Sequence, residues 1–438
     1  MAEDPRSTNV SRRNLLKAGM AVGAWAVASP VLAACSVKSG SGSGASASAG
    51  TLKIGFVSPR TGPAAGFGEP DGYVLDLARK ALQGGLVVGG KTYDVQVIDK
   101  DSQSDPARSA QVANDLINSE GVDLMLTTST PETVNPVSDA CEAAGVPCIS
   151  TVVPWEAWYF GRGGTPTKGF TYTYHFCFGV EQFASAYTTM WPQVPTNKKV
   201  GVMWPNDADG NAIRQNLGPL LEKAGYTIID PGAYTDGTTD YSSQIALFKK
   251  ENCEIFNTFP IPPDFATFWQ QAAQQGYQPK IAQIAKTGLF PSQVEALGPI
   301  GVNLAGGAYW TPTFPYSSSL TKVSSTDLGS GYEKSAGKQW NQQLGASLAL
   351  FDAGAAALQA AADPKDKKGV AAAIGSLSVQ TPVGTLKWGS GPVKNVVATP
   401  ILGGQWVKGT QAYPLDFVVV ENSSDSNVPV AAKLLPYS

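Results

Sequence analysis

The chain has 438 residues, 43% of them hydrophobic and only 15% charged, with 47 Gly and 31 Pro. That composition fits a turn-rich globular protein of two or three domains and excludes a disordered or coiled-coil chain. A formal net charge of −3 without any Lys/Arg cluster argues against a nucleic-acid partner. There is one histidine, His175, and no G-x-S-x-G, H-E-x-x-H or Walker A pattern, so the chain reads as a non-enzyme with no cofactor and no metal.

The first fifty residues read as an address. Arg12 and Arg13 precede an apolar run, residues 18–34, that closes on Leu32-Ala33-Ala34-Cys35. The run is too short and too rich in Ala and Gly for a membrane span but suits the apolar core of a signal peptide. The two motifs together resemble a twin-arginine export signal followed by a bacterial lipobox. The resemblance implies removal of residues 1–34, a diacylglyceryl group on Cys35 and an extracytoplasmic protein held at the cell membrane by its lipid, at about 0.8 kcal/mol per buried methylene. Residues 36–50, SVKSGSGSGASASAG, offer nothing to bury and predict a flexible tether of roughly 20 Å reach. Without residues 1–34 the charge count is 28 Lys/Arg against 33 Asp/Glu, a net of −5, because four basic and two acidic residues leave with the signal.

From Leu52 onward, strand and helix patterns alternate. Strands are expected at 52–59, 93–100, 122–129 and 147–151, with helices at 73–83, 105–118 and 136–144 between them. Asp105-Pro106 reads as an N-cap followed by proline at the first helical position. After residue 180 the rhythm restarts, with helices at 181–190, 212–225, 241–251 and 264–276 and strands at 198–205, 226–230, 253–259, 280–284 and 303–309. A long Ala-rich helix over 332–363, a short one over 367–374, and extended segments at 382–392 and 396–402 complete the chain. This β-α repeat predicts two doubly wound, parallel-sheet α/β lobes joined by hinge strands. The first lobe is expected to comprise 51–174 and 310–380, the second 175–309 and 381–438. Two motifs fall short: Gly66-Phe67-Gly68 with Gly72 misses the dinucleotide spacing, and the Asp99, Asp101, Asp105 run lacks the turn glycine and bidentate carboxylate of a calcium loop.

The segments IGFVSPRTGPAAGFG, D-x-x-x-D-P at 101–106, NPVSDACEAAGVPCIS, IALFKKENCEIFNTF and VGTLKWG resemble the type I periplasmic substrate-binding proteins of branched-chain amino acid ABC importers, over about residues 51–412. The resemblance implies a monomer whose two lobes close over a small ligand and hand it to an ABC permease and its ATPase. It also implies ligand contacts. Phe67 stands where the family has a tyrosine. The carboxylate-holding serine and threonine fall near Thr130-Pro131 and Val153-Pro154, and a second tyrosine falls at Ile261 or Pro262. The acidic residue that meets the ligand's ammonium falls at Lys286. Two positive charges about 4 Å apart repel by roughly 4 kcal/mol at an effective dielectric of 20. An anionic ligand with an apolar or aromatic body, contacted by Lys286, is therefore expected instead of a branched-chain amino acid. The alternative is that Lys286 is out of register or turned to solvent.

The stretch from Cys141 to Gly163 adds Ser150 and Thr151, at the carboxyl end of an expected first-lobe strand, and a loop with Trp155, Trp158, Tyr159 and Phe160. Ligands in open α/β sheets bind beyond strand carboxyl ends, so Trp155 is the candidate ligand-facing aromatic, with the other three packing beneath it. Cys141 and Cys148 lie at a helix end and the next strand and are expected to form a disulfide worth about 2.5 kcal/mol; Cys177 and Cys253 stay open between pair and buried thiols. A membrane-tethered ligand sensor would share all these features. An extracytoplasmic enzyme would have to manage with one histidine and no nucleophile motif.

Overall fold

The computed structural model describes residues 48–410 and 412–437. The export signal, Cys35 and most of the linker lie outside the described residues. Six strands open the first lobe: β1 (Thr51–Ser58), β2 (Leu86–Val88), β3 (Lys91–Asp101), β4 (Leu124–Thr128), β5 (Cys148–Thr151) and β6 (Thr173–Phe176). Five build most of the second: β7 (Lys199–Met203), β8 (Thr227–Ile229), β9 (Ile255–Thr258), β10 (Ile281–Ile284) and β11 (Ala305–Ala308). The chain then adds a hairpin of β12 (Ser378–Thr381) and β13 (Gly384–Lys387), returns β14 (Val396–Val397) to the first sheet, and ends with β15 (Leu402–Lys408) and β16 (Leu415–Glu421) in the second.

Each sheet has seven strands, ordered β14-β6-β5-β4-β1-β3-β2 and β16-β15-β11-β10-β9-β7-β8. Pairing is parallel in the middle of both, and antiparallel only at β2/β3, β11/β15 and β15/β16. β4 and β5 are buried at every position, as parallel strands covered by helices on both faces should be. Helix Gln343–Ala360 packs on them and is buried nearly all round. Its Gly354 lies so close to Leu124 and Leu126 that an added Cβ would sit 3.0 Å from the first. Asp105 caps helix Pro106–Asp115 by accepting from the Arg108 amide at 2.6 Å, as its sequence context predicts.

Three local expectations change. The long Ala-rich helix is two, Ser325–Ala336 and Gln343–Ala360, because Gly337 takes a left-handed φ of 65° and ends the first. The chain returns to the second lobe between Val397 and Leu402, not at 380/381, since the β12/β13 hairpin and β14 come first and β14 pairs with β6. The expected disulfide is absent: Cys141 and Cys148 are neighbouring buried free thiols, as Cys177 and Cys253 are free and buried. Helix Pro131–Ala144 and β5 bring the first two together, but inside an apolar cluster with Met125, Val137 and Val146, where burial raises the Cys141 thiol well above its usual range.

The chain passes between sheets three times, at 177–179, 309–310 and 398–401. Described residues contain no helix long and apolar enough to cross a membrane.

Candidate functional site

The carboxyl ends of the parallel strands of both sheets converge on one cavity. Phe67 comes from the loop after β1, Ser129 and Thr130 from the end of β4, and Val152 and Pro154 from the end of β5. Facing them are Phe183 on helix Val180–Met190, Asp209 on helix Ala208–Lys223, Phe259 beyond β9, and Ala285, Lys286 and Leu289 beyond β10. The crossings supply Phe178, Tyr309 and Ile401. About 500 Å³ of atom-free space lies between these walls, partly open to solvent, within the range of small-molecule sites. The walls stand close: the free core is about 40 Å³, room for about three waters at some 10–15 Å³ each.

Five aromatic rings, Phe67, Phe178, Phe183, Phe259 and Tyr309, stand on the wall. Tyr309, Phe178, Phe183 and Phe259 form a connected series with centroid separations of 5.3, 4.9 and 5.1 Å. Phe67 meets Phe290 of the other lobe edge to face at 4.9 Å. Tyr309 is fixed from behind, its amide donating to Gln342 and its hydroxyl accepting from the Gln343 side chain.

Backbone strain gathers at the same place. Ser129, Val152 and Lys286, each just past a strand end on the cavity wall, have φ values of 134°, 71° and 44°. A β-branched residue such as Val152 at positive φ is an outlier that persists only where its surroundings force it, and such positions cluster at functional sites.

The polar groups divide by lobe. On the first, Ser129 Oγ is buried without a partner, and Thr130, the N-cap of the 14-residue helix Pro131–Ala144, makes no capping bond with its side chain. A helix amino end with two uncommitted hydroxyls suits an acceptor or anion. On the second, Lys286 Nζ lies 2.9 Å from both Asp207 Oδ2 and Asp209 Oδ2. Burial pulls the Lys286 ammonium's pKa down, but Asp209 and Asp207 more than reverse that and hold it well above its usual range. Burial raises Asp209 to about 7, against the pull of Lys286. Asp207 Oδ1 accepts from the Gly210 amide at 2.6 Å, whereas Asp209 Oδ1 has no partner. Glu132 of the first lobe reaches the Ala208 amide at 3.4 Å, a contact across the cleft.

Of the candidate residues, the structure brings Phe67, Thr130 and Lys286 to the cavity wall. It does not bring Ser150, Thr151, Trp155 or Ile261 there. Ser150 Oγ is 2.8 Å from His175 Nδ1 beneath the sheet end, and His175 Nε2 donates to the Val153 carbonyl. Burial lowers that imidazole to about 3, so it is neutral and structural. Thr151 Oγ1 is spent on the Phe176 carbonyl, and its side chain borders a smaller hollow behind Val152. Ile261 is the N-cap of helix Pro262–Gln274, and Phe259 takes the place on the wall that it was expected to hold.

Trp155 begins the short helix Trp155–Tyr159, which turns its indole away from the cavity and onto Gly179, where an added Cβ would collide with the ring. Trp158 stacks on His175 at 4.9 Å, and the Arg162 guanidinium lies over Trp158 and Phe170. Phe160, expected to pack beneath the loop, is 45% exposed. Glu156 ties the loop to the first crossing by accepting from the Val180 amide at 2.9 Å; burial and the neighbouring Glu181 raise it to about 8. The loop therefore braces a hinge, and only Val152 and Pro154 at its start reach the cavity.

The wall residues not foreseen are chiefly Asp209, Phe178, Phe183, Phe259 and Tyr309. A usable signal existed for Asp209: Asn206-Asp207-Ala208-Asp209 follows a strand directly and opens a helix.

Two α/β lobes joined by three crossings, with one cavity at their facing strand ends, define a two-lobed cleft-binding architecture. The chain belongs to the periplasmic binding protein family, whose model matches residues 51–411. It is 23% identical over 205 residues, 47% of this chain, to a Leu/Ile/Val-binding protein homolog of Brucella melitensis, and the match spans about half, 53%, of that relative's length. Among solved structures, a leucine-binding protein of Thermotoga maritima superposes with a TM-score of 0.69 at 17% identity, covering 85% of this chain and 99% of that one. A solute-binding protein of an R. palustris ABC transporter, in complex with 4-hydroxybenzoate, does so at 0.67 and 16%, covering 85% and 96%. The shared architecture is that of type I periplasmic binding proteins.

Proposed function

We propose that this protein is an extracytoplasmic solute-binding protein that captures a small molecule between its lobes by hinge closure and delivers it to an ABC permease and its ATPase. The observation that carries this reading is the inter-lobe cavity, aromatic on its walls and fed by the strand ends of both sheets. The ligand is of amino-acid size with a flat apolar or aromatic body. Its acceptor end, a carboxylate, meets Ser129, Thr130 and the amino end of helix Pro131–Ala144. Lys286 is not the anion site, because its charge is already shared between two carboxylates. Relatives named for leucine and for 4-hydroxybenzoate bracket this ligand class.

A thermal-shift screen of aromatic carboxylates, aliphatic acids, amides and amino acids tests the reading. Aromatic or branched apolar carboxylates should raise the melting temperature by several degrees, since a ligand at 100 times its Kd adds about 2.7 kcal/mol. A response to amides alone would sink it. For the membrane anchor at Cys35, a Cys35→Ser protein should leave the membrane fraction on cell fractionation. Its retention there would remove the lipid from the proposal.

A further inference from the structure

Lys286 is a single ammonium held between two carboxylates, both within 2.9 Å. Asp207 is fully engaged, by Lys286 through one oxygen and by the Gly210 amide through the other. Asp209 is not. It is 3% exposed, one oxygen faces Lys286, and the other has no donor although the residue lies on the cavity wall. A buried carboxylate oxygen without a donor is costly, and no protein group donates to this one. A solute or a water entering the cavity can bring a hydrogen to it. The third N–H of Lys286 does not reverse this preference. Two carboxylates to one ammonium leave the corner negative, and Glu132 stands close by on the opposite lobe.

Resting on the solute-binding reading above, we infer that Asp209 is a specificity-determining residue: its free oxygen selects ligands that carry a hydrogen-bond donor, a hydroxyl or an ammonium, at the end of an apolar or aromatic body, with Lys286 as the internal counter-ion that holds the carboxylate in place. The ligand is then two-ended. An acceptor faces Ser129 and Thr130 on the first lobe, and a donor faces Asp209 on the second. Burial, with Asp207 and Glu132 nearby, raises Asp209 to about 7 against the pull of Lys286.

Calorimetric titration with two matched pairs tests this: 4-hydroxybenzoate against benzoate, and phenylalanine against 3-phenylpropanoate. In the native protein the donor-bearing member of at least one pair should bind about tenfold more tightly or better, as a hydrogen bond to a charged acceptor allows. The first pair reports a hydroxyl, the second an ammonium. In Asp209→Asn, which keeps the shape but no longer offers an acceptor-only charge, that preference should shrink to about threefold or less. If the asparagine variant does not fold, Asp209→Ser is read in the same way. Equal affinity within both pairs, tighter binding of the donorless acids, or a preference that survives in the variant would overturn the inference and leave the solute-binding reading intact. Binding of none of the four also overturns it, and the broader screen above then decides separately whether the cleft is a ligand site at all.

Discussion

Replacing Lys286 by methionine should lower the free energy of unfolding by about 3–5 kcal/mol at pH 8, because it strands Asp207 and Asp209 in a site from which water is largely excluded. The methionine fills a similar volume, so the loss is electrostatic, with little contribution from packing. Its pH dependence follows from sign. A carboxyl whose folded pKa lies above its unfolded one loses stability as pH rises from the lower value to the higher. For Asp209 that window runs from the ordinary 3.8 to about 7. Removing Lys286 withdraws the attraction that limits the elevation, so the window widens upward. The deficit of the variant should therefore be large at pH 8 and shrink toward pH 5, where the stranded carboxyls take up protons. Denaturant unfolding at the two pH values measures this. A loss below about 1 kcal/mol at pH 8, or one that does not vary with pH, would mean that the three side chains are hydrated and act independently. A lysine held only by its ligand would show a different pattern: affinity would change and stability would hardly move.

The family resemblance puts Lys286 where relatives carry the acid that meets the ligand's ammonium, and Lys286 lines the cavity. From that exchange an anionic ligand is expected at its ammonium, because an amino acid's own ammonium would be repelled there. The neutralising groups lie 79 and 77 residues earlier, at the end of β7, and come close only because β9 pairs with both β7 and β10. Local signals served well where a feature depends on neighbours in sequence, as in the Asp105-Pro106 helix start or the apolar runs of β4 and β5. They served poorly where direction matters. Cys141 and Cys148 lie near one another, as their places at a helix end and the next strand suggest, yet both are free thiols. Ser150 and Thr151 end a cleft-facing strand, yet both hydroxyls are spent on β6, one on His175 and one on the Phe176 carbonyl.

Trp155 poses the same problem of direction, and a pair of substitutions resolves it. The indole is 5% exposed, packs on Phe160 at 5.7 Å and on Gly179, and belongs to a cluster with Val134, Val153, Trp158 and Tyr159. Trp155→Ala should therefore cost about 3–5 kcal/mol of stability, the price of a large core cavity. Affinity for whichever aromatic acid the screen identifies should stay within about threefold at a temperature where the variant is folded. Trp155→Phe should be mild, within about 1.5 kcal/mol, because it keeps much of the ring volume and removes an indole N–H that is buried without an acceptor. Were Trp155 a ligand contact, the alanine variant would instead lose at least tenfold in affinity at little cost in stability. A true wall residue, Phe259, should lose affinity when cut to alanine, because its ring belongs to the aromatic series around the cavity. The two phenotypes separate a brace from a contact: Trp155 and Glu156 hold the first crossing against the first lobe, and only Val152 and Pro154 from that loop line the cavity. The aromatic loop beyond this strand end thus fixes the hinge segment from which Phe178 reaches the cavity.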